Sequence, residues 1–393
     1  MDNKCLVTNY GGVVNNDSLL HVGEFKIKQV KIDSPTSITQ AILLNGNNID
    51  VEIKGDAYFT DSTLSDNLGK KQTNVDGKTL YVSNNDCEIA VTNKYNITSI
   101  YFRETKSQWV SFASLSLNKT LLLEDLKYSP NLSVLRAAYI VGDLSNIKSN
   151  NITILDSASS TITGDISVLK DKTSLSYLSL GNSVTGDISV LKDKTSLSYL
   201  SLGNSVTGDI SVLKDKTSLF YLSLGNSVTG DLASLANLSS LAQLYISYSK
   251  LTGDIASLSS CGKLSNAILP SGITGSVDSL RDNTVFNSIM FIGANITGDI
   301  SVLANSLFTL TASKSCHFTW SHRDPSANII SLLPFTGSMV IDNVDKMLQD
   351  QAQCVVPSGV TKTISVTGTR TSASDDAVAT LQSKGYTVSI TRA

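Results

Sequence analysis

Three histidines occur in the 393 residues, and two of them, His317 and His322, lie close to Cys316 and Asp324. Thiolate, imidazole and carboxylate are the side chains that hold zinc, so Cys316-His317-x4-His322-x-Asp324 is the place where a metal would be sought first. The order matches no strong ligand spacing, and a polar irregular loop between two repeat types is the better reading. The same residue types could form a Ser/His/Asp constellation, but nothing in their arrangement favours one. No G-x-S-x-G, H-E-x-x-H or G-x-G-x-x-G occurs. The segment Gly69–Thr79 comes nearest to a phosphate loop, yet Gln72 stands where a Walker motif needs glycine. It reads instead as a hairpin turning at Asp76-Gly77. No catalytic residue, metal site or cofactor is expected.

Two further sets of side chains recur at fixed spacing. Asp143, Asp165, Asp187, Asp209, Asp231, Asp254 and Asp299 each follow a glycine. Carboxylates stacked at the strand spacing of ~4.8 Å could collect calcium. Capping the free N–H groups of a short helical turn is the better reading. The second set is Tyr177, Tyr199 and Tyr221, extended by Gln243, with Tyr245 and Tyr248 nearby. Rimmed by Ser179, Ser201 and Ser223, these residues are a candidate face for a saccharide or a protein edge. The competing reading is a cross-strand aromatic stack that serves only the sheet.

The spacing of both sets comes from an internal repeat. Gly164–Thr185 reads GDISVLKDKTSLSYLSLGNSVT, Gly186–Thr207 repeats it unchanged, and Gly208–Thr229 differs only in having Phe220 where the previous copy has Ser198. Looser copies begin at Gly230, Gly253, Gly275 and Gly298, and a degenerate one at Gly142. Within a unit, x-L-x-L predicts a short strand with Leu178 and Leu180 inward and Tyr177 and Ser179 outward on a concave sheet. A Gly-Asp turn then leads into a convex segment, Ile188–Leu191, that closes the core. Apolar burial in one unit does not cover the entropy of ordering it, so neighbours must stack.

A period of 22 to 23 residues with L-x-x-L-x-L spacing resembles the leucine-rich repeat family. The copy with Leu241, Leu244, Ile246, Ser249, Leu251, Gly253 and Ile255 shows it best. In the shorter copies Asn182 takes the asparagine position before Val184. The shortening and the frequent loss of asparagine depart from the usual asparagine hydrogen-bond ladder. The resemblance implies a solenoid with a parallel concave sheet and convex short segments.

The ends differ. Over 1–95 the alternating runs Glu24–Ile32, Ile49–Ile53 and Thr79–Val82 predict a small antiparallel β domain for docking or capping. The solenoid is expected over 96–320. Over 321–393 longer βα units form a C-terminal cap: strands at Met339–Ile341, Thr363–Val366 and Thr387–Ile390 alternate with helices at Val344–Cys354 and Asp375–Lys384. Ser374 is the expected N-cap and Gly385 the C-terminal stop.

Composition narrows the function. With 31 basic and 34 acidic residues the formal charge is −3, which argues against a basic nucleic-acid groove. No run is long and apolar enough to span a bilayer. The N-terminus lacks a signal-peptide pattern, and the five scattered cysteines lack CxxC spacing, so synthesis in a reducing cytoplasm is expected. The segments LVTNYGGVVNNDSLL, YFTDSTLSDNLGKK, LYVSNND and GTRTSASDDAVATLQSKGYTVSI make the whole chain similar to leucine-rich repeat proteins of Bacteroidales and their phages. That resemblance implies a non-enzymatic, virion-associated protein that binds a protein or cell-surface glycan of the host. A bacterial cell-surface adhesin is the alternative. A homo-oligomer through the N-terminal domain is a further expectation.

Overall fold

Each repeat makes one coil because its apolar residues sit at strand spacing and then at helical-turn spacing. In Tyr199–Leu202 alternate side chains point to opposite faces, so Leu200 and Leu202 turn inward and are 0% and 4% exposed. A second short strand, Val206–Asp209, follows and buries Val206. A 3-10 turn, Ile210–Leu213, then buries Ile210 and Leu213, and Leu219 closes the coil. The computed structural model describes residues 140–157 and 161–392 and, before them, short segments between Leu19 and Arg136.

The chain divides into two compact units, Met1–Ser196 and Leu197–Ala393. In the first, parallel strands pair Leu135 with Leu155 and Leu155 with Leu178. Short strands earlier in this unit pair antiparallel, as in Ile27 with Ile42 and Val51 with Phe102. Their connections and side chains lie outside the described residues. So do the Asp76-Gly77 hairpin and the reading of 1–95 as a docking or capping domain. In the second unit the register runs from Leu200 to Leu222, Leu244, Ala267, Ile289, Leu310 and Leu332. Every one of these is at most 2% exposed, so they form the continuous core of this unit.

The Gly-Asp step lies at the end of the second strand of each coil rather than in a turn. Successive second strands pair with a two-residue offset, which places Asp209 opposite Thr229 and Asp254 opposite Thr274. Each aspartate caps the 3-10 turn that follows it. Asp165 Oδ1 accepts the Ser167 N–H at 2.7 Å, Asp209 Oδ1 that of Ser211 at 2.8 Å and Asp254 Oδ1 that of Ala256 at 2.8 Å. Asn182, at the family's asparagine position, is exposed, and at the same position farther along Asn204 Oδ1 accepts the Asn226 N–H of the next coil at 3.2 Å, an exposed rung. Ser249 stands there in a later copy, and its buried hydroxyl donates to the Ile246 carbonyl at 2.8 Å.

After the 3-10 turn Ile300–Val302 the repeat lengthens. Strands Val340–Ile341, Thr363–Thr367 and Thr387–Thr391 alternate with helices Val344–Gln353 and Asp375–Ser383. Val344, Met347 and Leu348 are the buried face of the first helix. Ser374 sits at the N-terminus of the second but does not cap it. Its hydroxyl donates to Asp345 Oδ1 at 2.5 Å, tying the two helices together. Gly385, at φ +86°, ends that helix as expected.

Candidate binding face

The strand register of the second unit sorts the outward side chains into two columns. One runs Tyr199, Tyr221, Gln243, Asn266, Ser288 and Thr309. The other runs Ser201, Ser223, Tyr245, Ile268, Met290 and Thr311. Neither column contains a charged side chain, although 17% of the chain is charged. The polar column is hydroxyls and amides, and the other changes from serine to an aromatic and then to aliphatic side chains.

At one end of these columns the rings meet. Tyr199 and Tyr221 stack with centroids 4.1 Å apart and planes within 7°. Tyr245 leans on Tyr221 at 5.5 Å and 51°, and Phe220 stands edge-on to Tyr199 at 6.0 Å and 62°. The Tyr245 hydroxyl donates to Gln243 Oε1 at 3.4 Å. Burial, followed by the neighbouring Tyr199 hydroxyl, pushes the Tyr221 phenol up to about 12, and burial also raises Tyr245. Both phenols are therefore neutral hydrogen-bonding groups at physiological pH. Because the rings of Tyr199 and Tyr221 face each other, the cluster offers outward its edges and hydroxyls more than open ring faces. A sugar would need an open face to stack on, whereas a peptide can pack against edges and hydrogen-bond the hydroxyls.

Of the residues picked out by sequence, Tyr199, Tyr221, Gln243 and Tyr245 come together. Tyr248, 68% exposed, projects from the turn after its strand. Tyr177 holds the equivalent place in a coil of the first unit and is half-buried. Ser201 and Ser223 are half-buried beside the cluster, while Ser179 is buried at 3% exposure. Sequence reasoning missed Phe220 as a site residue. It is 44% exposed, and its signal was present as the single difference among three otherwise identical copies.

The Cys316–Asp324 segment does something else. Cys316 is buried, and burial raises its thiol; the Sγ–H donates to the Ala294 carbonyl at 3.2 Å. His317 pairs with Asp342 at 3.1 Å and His322 lies 3.5 Å from Asp350, so the two imidazoles turn to different partners. Among the described residues no three His, Cys, Asp or Glu side chains converge as a metal site. The segment's centre is Arg323, 1% exposed, whose guanidinium donates to the carbonyls of Asn328, Ser301, Leu303, Ala304 and Leu307 at 2.9 to 3.4 Å. Asp350 accepts the Trp320 indole N–H at 3.0 Å and the Arg323 backbone N–H at 3.2 Å. This network joins the last short coil to the first longer one.

No protein-family model matches the sequence, and no curated protein does. Among solved structures the chain is similar to the plant peptide hormone receptor RGFR1 in complex with RGF2, at 17% identity over 50% of this chain and 34% of that one, with a TM-score of 0.41. It thus spans about a third of that receptor's length. An internalin, InlF, from Listeria monocytogenes aligns at 20% identity over 60% of this chain and 83% of its own, TM-score 0.38. A leucine-rich repeat protein of Leptospira interrogans aligns at 12% over 68% and 81%, TM-score 0.37. The strand register of the chain itself defines its fold. No described helix is long and apolar enough to cross a membrane.

Proposed function

We propose that the chain is a non-enzymatic binding protein of leucine-rich repeat type, and that its outward strand face from Tyr199 to Met290 takes a protein partner. The observation that carries this is Phe220. A sheet needing only a tyrosine stack for stability has no use for a phenylalanine left 44% exposed beside it. The neighbouring Tyr245, Ile268 and Met290 continue the apolar surface along one column. Aromatic residues and methionine surrounded by neutral polar groups are the composition of an interface core.

On the resemblance to proteins of Bacteroidales and their phages, the partner belongs to a host surface and the chain to a virion. A cell-surface adhesin using the same face is the alternative reading. The test is binding of the whole chain to host cells and to a glycan array, beside Phe220→Ser, which restores the residue of the other copies, and Tyr245→Ser. Cell binding that falls at least tenfold in both variants, with no glycan signal, supports the reading. Undiminished binding by both variants, or no binding to cells at all, defeats it.

A further inference from the structure

The final strand, Thr387–Thr391, pairs in parallel with Thr363–Thr367 on one side, and no described strand lies on its other side. Thr387 N–H donates to the Lys362 carbonyl, and the Gly368 N–H to the Thr391 carbonyl. Thr387, Ser389 and Thr391 therefore spend their backbone groups on the neighbouring strand. Alternation along a strand leaves the N–H and C=O of Val388 and Ile390 pointing to the open edge. On the core side of this edge Val378, Val388 and Ile390 remain half-buried and line a cleft of about 510 Å3, with Arg370 and Arg392 at its margin. An unpaired apolar edge is a template for strand addition.

The geometry points to a second copy of this chain as the occupant, joined edge to edge about a two-fold axis through Ser389. The strand reads Thr-Val-Ser-Ile-Thr, which is self-complementary when reversed. An antiparallel pairing centred on Ser389 sets Thr387 against Thr391 and Val388 against Ile390 of the copy. Val388 and Ile390 are the residues whose backbone groups face the edge, so they form hydrogen-bonded pairs, and Ser389 meets Ser389 of the copy at a non-hydrogen-bonded position. The half-buried Val388 and Ile390 of each copy then cover those of the other. Charge is compatible as well: Arg370 is already paired with Asp375, and Arg392 falls opposite Tyr386 of the copy rather than another cation. A two-fold contact requires this kind of self-matching patch.

The register makes the test specific. The full chain should have twice its monomer mass by light scattering at tens of micromolar. Val388→Pro removes a donor that faces only the edge, and Ser389→Lys puts two ammonium groups face to face across the axis. Each should give the single-chain mass with unchanged circular dichroism. Ser389→Cys should cross-link into a covalent dimer under mild oxidation, because Cα atoms of a non-hydrogen-bonded pair lie about 4.5 Å apart, within disulfide reach. Thr391→Cys, whose opposite residue is Thr387, should stay uncross-linked, as should the wild type with its native cysteines. A single-chain mass for the wild type overturns the inference, whether the edge stays bare or another protein covers it. So does a dimer that survives both edge variants, or equal cross-linking from positions 389 and 391.

Discussion

Gly230 rests against the carboxylate of Asp209, one coil earlier: a Cβ added to Gly230 would lie 3.0 Å from Asp209 Oδ1 and 2.9 Å from Ile210 Cγ2. The same carboxylate caps the 3-10 turn of its own coil through the Ser211 N–H. The Gly-Asp pair of the sequence is thus a contact between coils as much as a local turn. Asp143, Asp165, Asp231 and Asp254 likewise have a glycine of the next coil against their carboxylates.

Gly230→Ala should therefore be costly for two reasons. Its φ of +118° is a conformation that L side chains rarely adopt, at about 1–3 kcal/mol, and the new methyl would press on the cap. Asp209→Ala alone should cost about 1 kcal/mol, the usual worth of an N-cap. In the double variant the methyl meets less opposition, so the two losses should sum to more than the double variant shows. Urea denaturation of the four proteins in the cycle measures this, and strict additivity would mean that the contact carries no energy.

Arg323 gives a second prediction. Burial pulls its guanidinium down to about 10, still well above neutral pH, so it stays charged, and its N–H groups donate to five carbonyls. Arg323→Leu would leave those acceptors without their donor and should cost more than about 3 kcal/mol. Arg323→Lys keeps the charge but has three donors on one atom instead of a planar fork, so an intermediate loss is expected. A lysine variant as stable as wild type in chemical denaturation would show that charge matters here and the fork does not.

What could be read in the sequence follows from what repeats. Leu200, Leu222 and Leu244 recur at a fixed period with strand alternation, so their alignment as rungs was legible. So were the aspartate caps, because Asp before a short apolar turn has few other uses. The second strand of each coil was not, since Val206-Thr-Gly-Asp209 is too short for alternation to show and contains a glycine. The buried lysines were hidden for a different reason. Lys194 is 0% exposed, its ammonium donating to the Lys170 carbonyl at 3.2 Å, although its neighbours Asp193 and Thr195 are polar. Only the column comparison reveals it: in the second unit the same repeat position holds Lys216, Leu238, Cys261 and Asn283, all buried. For the binding face, the tyrosine column was visible and its ring geometry was not. Spacing places side chains on one face but does not say whether their planes meet each other or the solvent.

Alkaline pH should separate Tyr221 from ordinary tyrosines. In an unfolded chain a phenol ionises near 10, whereas Tyr221 is held up to about 12 by burial and then by Tyr199. Between those values the folded chain binds the extra proton, so stability falls as pH rises through that window and the contribution is complete below it. Tyr221→Phe should therefore lose stability less steeply above pH 10. Its phenolate absorbance titration should also lack one late component. A titration curve for the variant that keeps that late component would assign it to another residue.

The charge-free columns make the last prediction, which concerns rates. Electrostatic steering accelerates association by orienting charged surfaces, and salt screens it over a Debye length of about 8 Å at physiological ionic strength. From Tyr199 to Thr311 the outward strand positions carry hydroxyls, amides, rings and aliphatic chains, so the face supplies no such field of its own. A partner that docks there should associate at about 10⁵–10⁶ M⁻¹ s⁻¹, the range without steering. Its association rate should change less than about threefold between 0.05 and 0.5 M salt, a range that would slow a steered complex far more. Phe220→Ser should act almost wholly on the dissociation rate, because losing a packed ring leaves the encounter unchanged. Surface plasmon resonance across a salt series reads all of these at once. A steep fall of the association rate with salt would place the partner on a charged surface instead, such as the one that carries Lys214-Asp215.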